Sequence, residues 1–266
     1  YVAQYLTFNQ MLINIFSFNI IWVFIECLPI LFAVKYGIDL WIWLRAVLGR
    51  KGVAVLSTVI SLANFGWYAV TANLFASSMI HLANNFGLGL DKGVWAPILG
   101  TLCVLLGTLI ALGGPEVIKG TNRFLVVALL FVGLIIVGIC FVAVPIRDIM
   151  NVQPAIQENL TPIERFMMSG EGNVAVAFSW STQAFVLPRL AKSERSGYWA
   201  TALSYGVVAP FFAATGGVMA LAMFVKTGVY ESDPTTMLST LSTPAFALLS
   251  LLLVAFANIG TQGTGS

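Results

Sequence analysis

Apolar runs of roughly 20 residues recur along the whole chain, and this feature restricts the possible fold more than any other. As an α-helix, a run of that length crosses the hydrocarbon core of a bilayer. Hydrophobic residues make up 59% of the chain and charged residues only 9%, against about 25% charged residues in soluble domains. The sequence therefore predicts an all-α polytopic membrane protein. Seven spans are expected, at about 5–34, 53–80, 94–113, 122–145, 172–190, 197–226 and 243–266.

The basic residues lie mostly on one side of these predicted spans. Nine of the 13 fall on that side with three acids, whereas the other side holds four basic residues and seven acids. The positive-inside rule places the first side in the cytoplasm, so Tyr1 is expected outside. A further span is then expected before Tyr1. The nine basic residues are Lys35, Arg45, Arg50, Lys51, Lys119, Arg123, Arg189, Lys192 and Arg195.

Few residues suit chemistry other than transport or packing. The net charge of +2 gives no reason to expect a nucleic-acid partner. The single histidine, His81, is expected at the outer end of a span, and the sequence has no paired intramembrane acids and no metal-ligand spacing. Cys27, Cys103 and Cys140 each fall inside an apolar run and are interpreted as packing residues. Neither an enzyme nor a bound cofactor is expected.

A polar cluster interrupts the second span at "LANFGWYAVTANL", residues 62–74. The spacing of Asn64, Trp67 and Thr71 places the three side chains on one face of a helix. Polar groups within a bilayer tend to face the bundle interior or a wet cavity. Alone, the cluster favours a helix–helix contact at which Gly66 permits close approach, and the alternative is a binding site.

Two further clusters interrupt later spans. In "AFSWSTQAF", residues 177–185, polar or amphipathic side chains cover every face of a helix, which favours a discontinuous helix lining a cavity. The alternative is a continuous buried helix whose serine hydroxyls bond to the preceding turn. In "FANIGTQGTGS", residues 256–266, the hydroxyl of Thr261 and backbone carbonyls suit a small hard cation. Packing of small residues is the alternative there.

Glu26, in "VFIECLPIL", is the only carboxylate that we place inside a span. Intramembrane acids are functional candidates, and Glu26 is a possible proton site. The alternative is a hydrogen-bonded side chain near the cytoplasmic boundary, because Lys35 lies only nine residues further on.

Four stretches together resemble the nucleobase–cation symporters, the purine–cytosine permease family. "YGIDLWIWLRAVLGRKG" resembles the family's cytoplasmic glycine–arginine–glycine signature, and "NFGWYAV" its third-helix amide–x–Gly–Trp–aromatic element. "FSWSTQAFVLPRLAKSE" resembles its sixth helix, and "ANIGTQ" the start of its eighth-helix element. The resemblance implies a leucine-transporter-like fold of five-plus-five inverted repeats. Residues 1–266 are then a single transporter domain holding helices two to eight, incomplete at both ends.

The same resemblance implies site residues. Substrate is expected to stack on Trp67 and to bond Asn64, with Thr71 where some members have glutamine. Ser179 and Trp180 fall at the sixth-helix substrate positions, and Ser266 where some members place asparagine. For the cation, the carbonyl of Ala257 and the hydroxyl of Thr261 are expected ligands. Gly260 stands where sodium-coupled members tend to have serine, so one ligand oxygen is absent.

The resemblance implies a plasma-membrane secondary transporter that imports a planar heterocycle: cytosine, uracil, a purine, allantoin or a hydantoin. Coupling to sodium or to protons is expected, without an obligate protein partner. An amino-acid or amine symporter of the same fold is the alternative, because "GPEVIKGTNRFLVVALLF" resembles the fifth-helix entry of those proteins. A non-transporting membrane scaffold or an embedded enzyme is a third, less favoured possibility.

Overall fold

The computed structural model describes residues 2–156, 160–179, 188–242 and 244–265. Within these ranges the chain is helical and has no β-strand. A 3₁₀ turn, Pro188–Leu190, precedes α8, and a π-helical segment, Ser204–Val208, joins α8 to α9. The α-helices are α1 (Val2–Tyr5), α2 (Phe8–Tyr36), α3 (Leu40–Asn85), α4 (Lys92–Leu112), α5 (Gly114–Ala143), α6 (Ile146–Met150), α7 (Pro162–Ser179), α8 (Glu194–Leu203), α9 (Ala209–Thr227), α10 (Pro234–Leu241) and α11 (Pro244–Gly265).

Five helical stretches of the described chain are long and apolar enough to cross a membrane. They correspond to the first four predicted spans and the sixth, and the chain is thus an all-α, multi-pass membrane protein. The seventh predicted span falls on α11, and the fifth includes residues 180–187, which lie outside the described ranges. The five stretches are Phe8–Tyr36, Leu40–Asn85, Lys92–Leu112, Glu116–Ala143 and the continuous Glu194–Thr227.

Besides α3, which begins at Leu40 rather than near residue 53, two helices begin earlier than the sequence pattern predicts. α5 starts at Gly114, not near residue 122, because Pro115 occupies the first turn with Glu116, where both residue types favour helix initiation. α7 starts at Pro162, not near residue 172. There the Thr161 N–H donates to the Glu164 carboxylate at 2.7 Å, and the Glu164 N–H donates to the Thr161 hydroxyl at 3.3 Å. This reciprocal capping box starts the helix ahead of its apolar stretch.

α3 contains a sharp break at Gly49, whose φ of 66° and ψ of 175° are not helical. A residue with a Cβ is strained at this positive φ, so glycine is the residue that suits the position. The break separates the stretch before Gly49 from the longer run that continues to Asn85.

The chain divides into two compact units, of which the first comprises residues 1–60 and 147–218. In this unit α2 packs against α7, α8, the 3₁₀ turn and the π-helical segment. Its apolar core joins Val23, Cys27 and Ile30 of α2 to Ala202 of α8. By contrast, Ile21 on another face of α2 is 65% exposed, as expected for a side chain that meets lipid.

The second unit comprises residues 61–146 and 219–266. Here α11 packs against α4, α5 and α10. A buried cluster joins Ala72 and Phe75 of α3, Cys103 of α4, and Ala255 and Ile259 of α11. The later part of α3 and the described part of α11 therefore share one core.

Each of the three cysteines is buried with a free thiol. Cys27 belongs to the core of the first unit and Cys103 to that of the second, and Cys140 of α5 has no exposed surface. The interpretation of these cysteines as packing residues agrees with this burial.

Candidate functional site

The polar face of α3 lies in the second unit. Asn64 and Trp67 are half-buried there, and Thr71 is buried. The Thr71 hydroxyl donates within its own helix, to the carbonyls of Trp67 at 3.3 Å and Tyr68 at 3.1 Å. Since its proton is used in this way, Thr71 would meet a ligand as an acceptor. Asn64 and Trp67 are therefore the better candidates for direct recognition.

Gly66 does not mark a close helix contact within the described chain. A Cβ built on it meets no described atom within 4 Å. Gly100 of α4 differs, since a Cβ there would lie 3.7 Å from the Cβ of Ala72. The small-residue contact of α3 with α4 is therefore at Ala72, a residue that does not belong to the Asn64–Trp67 face.

An open groove of about 470 Å³ lies beside this contact between α3 and α4. It is lined mainly by small and apolar side chains, with Asn73 and Thr101 as its polar residues. The Thr101 hydroxyl donates to the Pro97 carbonyl at 2.8 Å within α4. Neither Asn64 nor Trp67 lines the groove, which is therefore distinct from the predicted face.

The two oxygens expected to bind a cation are neighbours on α11. The Thr261 hydroxyl donates to the Ala257 carbonyl, with 3.0 Å between the oxygens. Two oxygens this close can bind one cation if the hydroxyl turns its lone pair towards it. Among the described residues, no group of three or more His, Cys, Asp or Glu side chains could hold a metal. The atoms that α11 can offer as ligands to a cation are thus carbonyl and hydroxyl oxygens.

Gly260 lies between Ala257 and Thr261 in the sequence and packs directly on α5. A Cβ built on it would collide with Cδ1 of Leu125 and would lie 4.0 Å from Oδ1 of Asn122. Leu125 is itself buried. Close packing thus accounts for a glycine where the resemblance would place a serine.

The other three predicted substrate residues are Ser179, Trp180 and Ser266. Ser179, the last residue of α7, belongs to the first unit, and its hydroxyl donates to the Val176 carbonyl at 2.7 Å. Trp180 and Ser266 lie outside the described residues.

The possible proton site, Glu26, lies on α2 in the first unit. Its side chain is only 6% exposed, and neither of the ion pairs in the described chain, Lys119–Glu116 and Arg189–Asp39, includes it. Both carboxyl oxygens of Glu26 are buried without a hydrogen-bond partner in the described chain.

A polar contact between α2 and α7 escaped the sequence analysis. The fully buried Asn14 donates from its amide to the Phe166 carbonyl at 2.7 Å, and Asn173 donates back to the Ile15 carbonyl at 3.3 Å. The side-chain amide oxygen of Asn14, Oδ1, and the Ser169 hydroxyl are buried without a hydrogen-bond partner in the described chain. The sequence did contain a signal for this contact, because Asn14 is an asparagine inside an apolar run, as Asn64 is.

Helix content and composition define the class of this chain: an all-α membrane protein with several spans. Comparison with known proteins finds no protein-family model that matches the chain and no curated protein that matches it. A particular family and activity are therefore matters for a proposal.

Proposed function

We propose that this chain belongs to a cation-coupled secondary transporter of planar nitrogenous heterocycles, with the leucine-transporter-like fold that its resemblance implies. One observation carries the proposal. The helices that bear Asn64 and Trp67, and Ala257 and Thr261, share the buried cluster at Ala72 and Ile259. An aromatic–amide face and a pair of cation-suited oxygens therefore belong to one compact unit.

The chemistry of the α3 face suits a flat ligand with amide-like edges. The half-buried Trp67 ring offers a stacking surface, and Asn64, nearly one helical turn earlier, offers a donor and an acceptor. A cation bound on α11 would couple transport by stabilising the conformation that binds substrate. Alternating access then moves the ligand across the membrane.

Substitution of Trp67 tests the stacking role. Stacking of a base on an aromatic ring contributes about 1–3 kcal/mol, which corresponds to about a 5- to 150-fold rise in Kd when it is lost. We expect Trp67→Ala to weaken binding of radiolabelled nucleobases or hydantoins by this factor, and Trp67→Phe to weaken it less. The assay is scintillation proximity binding with the purified protein.

Trp95→Ala is the matched control, because Trp95 lies on α4 in the same unit and is 38% exposed. It should leave the Kd unchanged. Equal binding by the Trp67→Ala variant would refute the site. If free leucine competes for the labelled site and cytosine and uracil do not, the substrate is an amino acid rather than a heterocycle.

A further inference from the structure

Glu26 occupies an apolar setting in which a charged carboxylate is strongly disfavoured. Val23 and Ile30 lie about one turn before and one turn after it on α2, and with Cys27 and Ala202 of α8 they belong to one buried apolar cluster. About ten residues separate Glu26 from the end of α2 at Tyr36, which is about 15 Å along the helix axis. A carboxyl at this depth that forms no ion pair is stable when it carries a proton.

Both helices that meet at this level are irregular. In α2, Pro29 lacks the N–H that would bond to the Ile25 carbonyl. In the facing span, Pro210 lacks the N–H that would bond to the Gly206 carbonyl, and the Ala209 N–H instead bonds to the Ser204 carbonyl, the π-helical pattern. The backbone on both sides therefore contains carbonyls deprived of their regular helical donor.

The π-helical segment lies directly against α2. A Cβ built on Gly206 would lie 3.2 Å from Cγ1 of Val23, one turn before Glu26. The next residue back, Tyr205, packs on the same core and is close enough to Glu26 to interact with it electrostatically. A protonated Glu26 presents a donor to this interface, whereas an ionised Glu26 presents only acceptors.

No basic side chain of the described chain forms an ion pair with Glu26. Tyr205 on the π-helical segment, Cys27 on α2 and Tyr198 of α8 pack on the same core, and none of these side chains can carry a positive charge. Arg189 of the 3₁₀ turn pairs with Asp39 at 3.4 Å. Arg165 of α7 precedes Phe166, whose carbonyl meets Asn14, three helical turns away from Glu26 on α2.

We propose that Glu26 is a proton-binding site, and that binding of the proton holds α2 against the π-helical segment Ser204–Val208. Loss of the proton places an uncompensated charge in this interface and loosens it, so that water enters. The site itself does not depend on the proposed transport function. Its use as the coupling site, with the proton as the driving cation in place of a cation on α11, rests on that function.

Carbodiimide labelling tests the protonation of Glu26. Dicyclohexylcarbodiimide is apolar and reacts with protonated carboxyls, whereas a water-soluble carbodiimide reaches carboxyls in contact with solvent. With the purified protein in lipid nanodiscs, we expect a dicyclohexylcarbodiimide adduct on the Glu26 peptide by mass spectrometry. The adduct should diminish as the pH rises and should be lost in the Glu26→Gln variant.

The exposed carboxyl of Glu171 on α7 is the matched control. It should prefer the water-soluble reagent, and Glu171→Gln should leave the Glu26 adduct unchanged. Faster labelling of Glu26 than of Glu171 by the water-soluble reagent would overturn the proposal. Labelling of Glu26 by the apolar reagent that does not change with pH would overturn it as well.

A second measurement follows the interface itself. Because the proton stabilises the packed state, the thermal stability of the wild type should fall as the pH rises. The side chain in Glu26→Gln is neutral at every pH, so this variant should lose the part of the pH dependence that is due to Glu26. An unchanged slope would refute the link to packing.

Transport assays then separate the two proposals. Glu26→Gln should keep heterocycle binding and lose accumulation driven by a proton gradient. Normal accumulation by this variant would refute coupling at Glu26, whereas absent heterocycle binding by the wild type would refute only the proposed substrate.

Discussion

Adding one methyl group at Gly260 should destabilise the second unit through a single contact. The Cβ of Gly260→Ala collides with the buried Leu125 side chain of α5. Overpacking of this kind costs about 1–3 kcal/mol, and the better helix propensity of alanine returns up to about 1 kcal/mol. The net expectation is a loss of about 0–3 kcal/mol.

The matched control is Gly138→Ala in α5, where the new Cβ meets no described atom within 4 Å. With no clash, alanine should stabilise that helix by about 0.5–1 kcal/mol. Identical substitutions in the same unit should thus change stability in opposite directions. The difference can be measured by thermal or denaturant unfolding of the detergent-purified protein, followed by tryptophan fluorescence.

A double-mutant cycle with Leu125→Val isolates the contact. The shorter side chain withdraws the group that the new methyl meets, so Gly260→Ala should cost less in that background, with a coupling of about 0.5–3 kcal/mol. If Gly260→Ala stabilises the protein as much as Gly138→Ala does, or if the cycle shows no coupling, the packing argument is wrong.

Two further predictions concern α7. Asn14→Ala removes the bond that the Asn14 amide donates to the Phe166 carbonyl, so stability should fall by about 0.5–1.5 kcal/mol, measured by unfolding; an unchanged midpoint would contradict this. The Thr161 backbone N–H, and then its hydroxyl, hold the pKa of Glu164 below its usual value of 4.5. As the pH falls, the Glu164 carboxylate therefore binds a proton at a higher pH in the unfolded chain than in the folded chain. The capping box should stabilise α7 fully above about pH 5 and lose that effect as the pH falls through the lowered pKa of Glu164. As the pH is lowered, backbone amides at the start of α7 should lose protection against hydrogen exchange in the wild type and not in Glu164→Gln. An equal pH response in both proteins would exclude the capping role.

The spans were predictable because a bilayer demands both length and apolar composition, and α2, α4 and the stretch Glu194–Thr227 meet both demands. The starts of α5 and α7 were not predicted. There the decisive residues are polar or proline, and they act through capping geometry rather than hydropathy. The Thr-Pro-x-Glu pattern at Thr161 was visible in the sequence and would have placed α7 correctly.

Contacts between distant segments were beyond a reading of one sequence. Nothing along the chain indicates that Gly260 meets Leu125 or that Asn14 meets Phe166, because both contacts depend on how two helices are rotated and shifted against each other. The π-helical segment before Pro210 was likewise hidden, since a proline predicts a disturbed helix without saying which form the disturbance takes. The roles of Asn64, Trp67, Ala257 and Thr261 stay predictions.

The burial of all three thiols makes this chain well suited to spectroscopy. Cys27 and Cys103 lie inside packed cores and Cys140 has no exposed surface, so none should react quickly with maleimides or spin labels in the folded protein. A reporter cysteine placed in a connecting segment could then be labelled without first removing the native ones. Distances between pairs of such reporters would follow movements of the helices in the protein's own sequence background.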